Sequence, residues 1–451
     1  MRVLLINPPY FAGYQKLTLD LPPLGLAYIA SLLRQSGHEV QIADMTLGLQ
    51  ETPSRFDDFD LVGISSDTPR HNLAMQLAKK VKQYNIPVIM GGPHVSFLPE
   101  ESLQTGFVDY VIKGEGEYIL KNLVDHLNEG GDVKEVPGIS YINNGEIVHN
   151  TNQHGFIDVN DLPLPSRDLL KMDSYNALLG NINGTSIIGS RGCPFNCSFC
   201  ASSQLFGLKW RPREPEDIVD EIMEVKKRYG IKGFFFMDDN HTLQPDRTIR
   251  ICELINNKDL DISWWCFSRV NTIVEREDMV QAMAASGCQM VFIGVESPNQ
   301  DVLDSYNKNI TPDLSLQAIK ILHKHNIKAM ASFIIGELNE TEKMIQQTIA
   351  FSKKIHPEVA QFSILTPYPG TRLFQSVKDL VVTKDWRLYD GLHAVIKTSN
   401  FEPKDLENLL KKAYFTFYTQ FARLLTHPIS EFRLLKQVPQ LFKRQDYSLL
   451  D

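Results

Sequence analysis

At 451 residues, with 43% hydrophobic and 22% charged residues, the chain has ordinary globular composition and enough length for two or three domains. A net charge of −8 and a pI near 5.9 exclude a general nucleic-acid binder, which would carry a basic face. Six cysteines are too few for a disulfide scaffold, and no run of ~18 apolar residues offers a membrane span. Met1-Arg2 leads straight into a strand without a secretory leader, so a cytoplasmic protein is expected.

The apolar run Val3–Ile6, halted by Asn7-Pro8-Pro9, reads as a buried parallel strand. A helix is predicted over Leu24–Gln35, closed by Gly37. Strands Glu39–Ala43 and Leu61–Ser65 follow, then a helix Asn72–Tyr84 and a strand Val88–Met90 running into Gly91-Gly92-Pro93-His94. A strand Tyr110–Ile112 runs into Gly114-Glu115-Gly116-Glu117, and a helix Tyr118–Leu127 closes the series. Such alternation makes a parallel sheet covered on both faces, with ligands beyond the carboxyl ends of its strands, where Gly, Ser and Pro collect here. From Val133 to Asn183 the periodicity fades. Gly138–Ile142 and Glu146–His149 flank the tight-turn residues Asn143-Asn144-Gly145, which predicts a small hairpin. The prolines of Leu162-Pro163-Leu164-Pro165-Ser166-Arg167-Asp168 mark a linker.

After an apolar strand, Thr185–Gly189, comes Cys193-Pro194-Phe195-Asn196-Cys197-Ser198-Phe199-Cys200, held as a loop by Gly189, Gly192 and Pro194. Three thiols in eight residues suit one metal centre. They are one short of a closed zinc site or a fully ligated iron–sulfur cluster, and no fourth Cys or His stands at a nearby zinc-like spacing, so an open coordination position is inferred. Cys252, Cys266 and Cys288 read as core residues on a helix, a strand and a strand lead-in. Ile218, Ile222, Val225 and Tyr229 give a one-faced helix ending at Gly230, followed by the strand Gly233–Met237. The unit recurs in strands Ile262–Phe267, Met290–Ile293, Ala329–Ile335 and Ala360–Leu365, separated by helices Glu277–Ser286, Asp313–His325 and Glu340–Lys354. That makes six βα-type units, fewer than a complete eight-fold barrel. The strand ends carry Asp238-Asp239-Asn240, Ser268-Arg269, Gly294-Val295-Glu296-Ser297, Gly336-Glu337 and Thr366-Pro367-Tyr368-Pro369-Gly370-Thr371, where barrels place functional groups.

The cysteine spacing, with an aromatic before the third thiol, resembles the signature of the radical S-adenosylmethionine (SAM) superfamily. The resemblance covers roughly residues 184 to 375 and implies a partial (β/α)6 barrel. It implies that Cys193, Cys197 and Cys200 hold a [4Fe–4S] cluster, whose fourth iron is chelated by the amino and carboxyl groups of SAM, and that Phe199 lies by the adenine. It places Asp238 and Asp239 by the methionyl ammonium, Arg269 by the SAM carboxylate, and Glu296 or Ser297 by the ribose. For the carboxylates, capping of the helix after the strand is the alternative. The chain departs from the pattern at Glu337, where relatives often carry proline.

The ordered set NPP, PxGL, GxS, GG and GEGE at the earlier strand ends is similar to the cobalamin (B12)-binding-type domain fused ahead of many radical SAM enzymes, over about the first 130 residues. That resemblance implies cobalamin contacts at Pro22, Leu24, Gly25, Ser65, Ser66, Gly91, Gly92, His94, Gly114 and Glu115, with His94 alternatively a loop hydrogen-bond donor. Where cobalamin domains of the methionine synthase type carry DxHxxG with a cobalt-ligating histidine, this chain reads Asp20-Leu21-Pro22-Pro23-Leu24-Gly25.

The expected fold is α/β: a Rossmann-like cobalamin-binding parallel sheet over residues 1–135, a hairpin and linker over 136–183, a partial radical SAM barrel over 184–375, and a helical C-terminal extension over 376–451. Tyr414–Phe421, followed by Arg433, Lys436, Lys443 and Arg444, predicts a helix packed across the open side of the barrel, with peripheral membrane contact as the alternative. The resemblances imply a cobalamin-dependent radical SAM methyltransferase acting on an unactivated carbon of a small-molecule, lipid or natural-product-type substrate. A reductant such as flavodoxin or ferredoxin would serve it. The alternatives are a cyclase or oxidase with the same cofactors and no methyl transfer, like the anaerobic magnesium-protoporphyrin ester cyclases, and, from another class, a non-catalytic iron–sulfur regulatory protein.

Overall fold

The computed structural model describes residues 1–10, 20–151, 155–179 and 181–419, which fall into two compact units divided between Tyr175 and Asn176. Strands β1 (Arg2–Asn7), β2 (Glu39–Asp44), β3 (Leu61–Ser65), β4 (Val88–Gly91) and β5 (Tyr110–Ile112) of the first unit pair in parallel in the order β2-β1-β3-β4-β5. Successive side chains of β1 serve opposite faces. Leu4 and Ile6 pack with Ala74, Leu77 and Val81 of the helix His71–Lys82. Val3 and Leu5 pack with Leu26, Ala30 and Leu33 of the helix Leu24–Gln35 and with Leu120 and Leu123 of the helix Glu117–Glu129. Burial on both faces is why Val3–Ile6 of β1 is an unbroken apolar run, and each such side chain contributes roughly 1.5–3 kcal/mol. The chain reverses its direction of winding at β1, which opens the crevice where doubly wound sheets bind ligands.

The hairpin β6 (Ile139–Asn143) and β7 (Glu146–His149) turns at Asn144 and Gly145, both at positive φ (50° and 85°). It extends the first sheet, Tyr110 facing Tyr141 in antiparallel register. The proline-rich stretch is also pinned to this unit. Ser166 donates its N–H to the Ala27 carbonyl (3.0 Å), Arg34 pairs with Asp168 (2.8 Å), and the Tyr175 hydroxyl donates to Asp44 (2.7 Å).

In the second unit β8 (Leu178–Leu179) lies antiparallel to β9 (Ile182–Ile187). A ribbon of β10 (Ser190–Arg191) and β11 (Arg211–Pro212) follows. The parallel strands β12 (Gly233–Phe236), β13 (Ser263–Ser268), β14 (Cys288–Glu296), β15 (Lys328–Ile335) and β16 (Val359–Ile364) extend from β9 in chain order, giving six parallel strands in an open half-barrel. The helix Pro215–Tyr229 stops at Gly230, whose φ of 68° suits a residue without a Cβ. Trp264 lies on the helix side of its strand, its indole N–H donating to the Ser286 carbonyl (3.0 Å). Trp265, Phe267 and Phe292 meet on the other side. Cys252, Cys266 and Cys288 are buried core residues. The helix Pro403–Tyr418 runs along β16; the basic end of the C-terminal extension, from Arg433 on, lies outside the described residues. Among those residues no helix is long and apolar enough to cross a membrane.

Candidate functional site

The β10–β11 ribbon brackets the cysteine loop, so the thiols are presented from a framed segment. Gly192 sits at φ 84°, where a Cβ would lie 2.0 Å from the Lys209 carbonyl oxygen, and its N–H donates to Asp239 (3.0 Å). The far side of the loop is tied to the segment after the helix Gln300–Ser305. Ser198 donates its N–H to the Tyr306 carbonyl (2.9 Å), and the Asn307 amide donates to the Asn196 carbonyl (2.8 Å). Arg372 reaches that same carbonyl, and Leu373 donates its N–H to Ser198 (3.0 Å). All three thiols are free, with Cys197 buried and Cys193 and Cys200 half-buried. Burial pushes the Cys193 thiol up to about 11 and raises Cys200 as well, so taking up iron there would release protons. Three soft sulfur donors on one framed loop fit an iron–sulfur cluster.

The strand-end residues divide into framework and open groups. Asp238 is wholly enclosed and accepts from Gly189 N–H (2.6 Å), the Ser190 hydroxyl (2.8 Å) and His241 Nδ1 (2.9 Å). Burial opposes its charge, but His241 and the Gly189 N–H hold its carboxyl below the usual range. Three protein donors thus meet the carboxylate that the resemblance places by the methionyl ammonium. Asp239 keeps an exposed face, while the protein crowding it raises its carboxyl above the ordinary value. Beside it, both polar atoms of the buried Asn240 amide lack a partner among the described residues, which fits a polar ligand at this strand end. Phe199 is half-buried, edge-on to Tyr306 at 5.2 Å.

Glu296 has a left-handed backbone (φ 62°) and is buried in an ion pair with Lys308. Ser297 is enclosed, its hydroxyl accepting the Asn299 N–H (3.1 Å) at the start of the next helix. Arg269 lies against the cysteine loop, within 3.7 Å of the Cys197 sulfur. Sequence reasoning missed Tyr306, Asn307 and Lys308. The one local signal was Asn307 and Asn309 in a short polar run, and both adopt positive φ (52° and 55°). At β15 the N–H groups of Gly336 (2.6 Å) and Glu337 (3.2 Å) donate to the buried Glu340. The departure at Glu337 thus keeps a donor that proline would lack.

In the first unit the expected cobalamin residues gather at the carboxyl edge of the sheet. Pro22 is buried ahead of Pro23, which caps the helix that starts with Leu24. A Cβ on Gly25 or Gly114 would meet nothing within 4 Å, so both leave open space at the rim, and Gly91 is nearly as clear. Those small residues fit a flat ligand lying across the strand ends. Ser65 pairs with Gly91, while Ser66 is enclosed and its hydroxyl bonds His71 Nδ1 (3.0 Å). Gly92 is explained by backbone alone, since a Cβ there would lie 2.6 Å from the Ser66 carbonyl oxygen. Glu115 accepts the Ile157 N–H (3.0 Å) beside a cleft of about 360 Å³.

His94 has no exposed surface and stacks on His71 with ring centroids 3.9 Å apart, which places it in the loop framework. His71, His94 and Glu101 bring ligand-type atoms within 4.8 Å of one another. Imidazole lone pairs lie in the ring plane, however, and two rings stacked at 30° do not direct them at one point.

The sequence matches the Radical SAM superfamily over residues 187–352 and the B12 binding domain over residues 13–124. It is 40% identical to an uncharacterized methyltransferase of Pyrococcus horikoshii, over 93% of this chain and 92% of that one. It is 30% identical to the anaerobic magnesium-protoporphyrin IX monomethyl ester cyclase of Rubrivivax gelatinosus, over 96% of this chain and 80% of that one. The fold is similar to that of the cobalamin-dependent SAM radical enzyme OxsB, solved with aqua-cobalamin and SAM bound, with a TM-score of 0.77 at 19% identity, covering 97% of this chain and 70% of that one.

Proposed function

The chain belongs to the cobalamin-dependent radical SAM methyltransferase family, and from that membership we propose that it transfers methyl groups to an unactivated carbon of a small molecule. The observation that carries this reading is the framed loop of Cys193, Cys197 and Cys200 in one chain with a B12 binding domain. When bound, the cluster and SAM supply radical chemistry and cobalamin supplies the methyl carrier.

The protein's part is to hold and orient. Cys193, Cys197 and Cys200 would ligate the cluster, with Phe199 beside the adenine and Asp239 and Arg269 toward the methionyl end of SAM. Asp238 would act one step back, fixing the Gly189–Ser190 turn ahead of the loop. Glu296 would set the position of Lys308 near Phe199, 5.9 Å from its ring centroid, and Ser297 the start of the following helix. In the first unit Pro22, Leu24, Gly25, Ser65, Gly91 and Gly114 would border the corrin, supported by Ser66, Gly92, His94 and Glu115 behind them. Six free thiols support work in the cytoplasm with a flavodoxin- or ferredoxin-type electron donor.

Similarity to an ester cyclase over most of both chains favours a second reading, the same cofactors without methyl transfer. Anaerobic turnover with SAM, cobalamin and host extract separates the two. Methyl transfer predicts S-adenosylhomocysteine and 5′-deoxyadenosine in near-equal amounts; 5′-deoxyadenosine alone with accumulating product selects the cyclase-type reading.

A further inference from the structure

The Arg269 guanidinium, just past the end of β13, is fixed on three sides. Nη1 donates to the Cys197 sulfur at 3.7 Å, Nη2 donates to the Lys308 carbonyl, and the group lies 3.8 Å from the centroid of the Phe195 ring, inside the cysteine loop. Arg269 and Cys197 are both buried, so the contact is little screened by water. Arginine keeps its proton at any working pH, and hence a permanent cation touches one of the three thiolate positions.

Three thiolates outweigh the charge of an oxidised cluster core, and an added electron makes the site more negative still. A fixed cation and an N–H···S bond favour the reduced form, since hydrogen bonds to sulfur and net charge are levers on a cluster's potential. Resting on the reading that these cysteines carry the cluster, we propose that Arg269 raises the cluster's reduction potential through its bond to the Cys197 sulfur. The cluster would then accept one electron more readily from a low-potential donor of the flavodoxin or ferredoxin type. One electron passes from donor to cluster, with no proton moved and no covalent bond broken. Phe195 and the Lys308 carbonyl act as positioning groups, holding the guanidinium plane toward the sulfur.

The test is a redox titration followed by EPR, without SAM, of anaerobically loaded wild-type, Arg269→Gln and Arg269→Lys proteins matched for iron and sulfide. At the wild-type midpoint the glutamine variant is expected to show an about tenfold lower ratio of reduced to oxidised cluster, about 59 mV for a one-electron couple. The lysine variant, which keeps the charge without the stacked plane, is expected between the two. An unchanged midpoint in loaded Arg269→Gln protein overturns the proposal and leaves the cluster reading standing, whereas a wild-type chain that takes up no cluster overturns both. Wild-type protein carrying 15N-arginine gives a measurement independent of any variant's folding. A 15N coupling to the reduced cluster is expected in pulsed EPR without SAM, and its absence also overturns the proposal.

Discussion

The hydroxyl of Tyr414 satisfies both backbone groups of Phe362, donating to its carbonyl at 2.9 Å and accepting its N–H at 3.0 Å. Four residues on, Tyr418 treats Ala360 the same way, at 2.9 and 3.2 Å. Ala360 and Phe362 are alternate residues of β16, the edge strand of the half-barrel, so their N–H and C=O groups face away from β15. Helix neighbours four apart and strand neighbours two apart are spaced alike, which lets the two phenols stand in for a missing strand. An edge that would invite pairing with another chain is sealed.

Tyr414→Phe keeps the ring against Phe362, 5.4 Å away, and removes only the hydroxyl, leaving two buried backbone groups unmet. We expect a loss of about 1–3 kcal/mol, read as a lower urea midpoint with unchanged slope. Tyr418→Phe should behave alike. A wild-type midpoint in both variants would show that the phenols do not seal the edge.

Much of this fold was legible in the chain because its strands are buried on both faces and so written as short apolar runs, such as Val3–Ile6 and Leu61–Ser65. The cysteine loop was legible because its three thiols lie within eight residues. What could not be read is what depends on a distant partner. Glu296 stood at a strand end like a ligand-binding carboxylate, and only the folded chain brings Lys308 onto it. Asp238 and Asp239 are adjacent in sequence, yet one is enclosed by protein donors and the other keeps an open face. The hairpin was foreseen at its turn, whereas its joining of the first sheet depends on Tyr141 meeting Tyr110 across 31 positions of chain. Tyr414 and Tyr418 showed as an aromatic stripe, and their hydroxyls acquire a purpose only beside an unpaired edge.

Replacing Cys193, Cys197 or Cys200 singly by Ala is expected to abolish stable cluster binding, because two thiolates leave the centre without its protein ligand set. Gly192→Ala should weaken loading without removing a ligand, since its Cβ would collide with the Lys209 carbonyl and its φ of 84° disfavours any side chain. Iron content and visible absorbance after anaerobic reconstitution report both effects. A Cys197→Ala chain with a full cluster that still cleaves SAM would sink the assignment.

Burial raises the Glu340 carboxyl to about 7 from an ordinary 4.5, against the two N–H donors of Gly336 and Glu337. The folded state therefore holds this proton more tightly than the unfolded chain does. Its contribution to stability is complete below the unfolded value and is lost as the pH rises from about 4.5 through about 7, a difference on the order of 3 kcal/mol. Glu340→Gln should flatten that part of the stability profile. Glu337→Pro removes one donor to the carboxylate and also the Glu337 charge that raises it; the donor is the larger influence, so the profile should steepen slightly. Chemical denaturation between pH 5 and 8 checks both, and a wild-type slope in Glu340→Gln would refute the attribution.

Between β1 and the helix Leu24–Gln35, where the methionine-synthase type of domain carries its ligating histidine, this chain has Pro22, which has no side-chain donor atom. No histidine precedes His38, and that ring is held by the Met1 amino group (3.2 Å) and Asp125 (2.7 Å) at the amino end of β1, opposite the rim where ligands bind. His71 and His94 are nearer the strand ends, but they are stacked on each other and tied to the Ser66 and Thr68 hydroxyls (3.0 and 3.3 Å). We therefore expect cobalamin to bind with its own base displaced and without an axial ligand from Pro22, His38, His71 or His94. Continuous-wave EPR of the protein-bound Co(II) form reads the axial ligand directly. Cobalamin retained with no nitrogen superhyperfine splitting is the expected result; axial nitrogen splitting would overturn it, and protein carrying 15N-histidine then tells a histidine ligand from the cobalamin's own base.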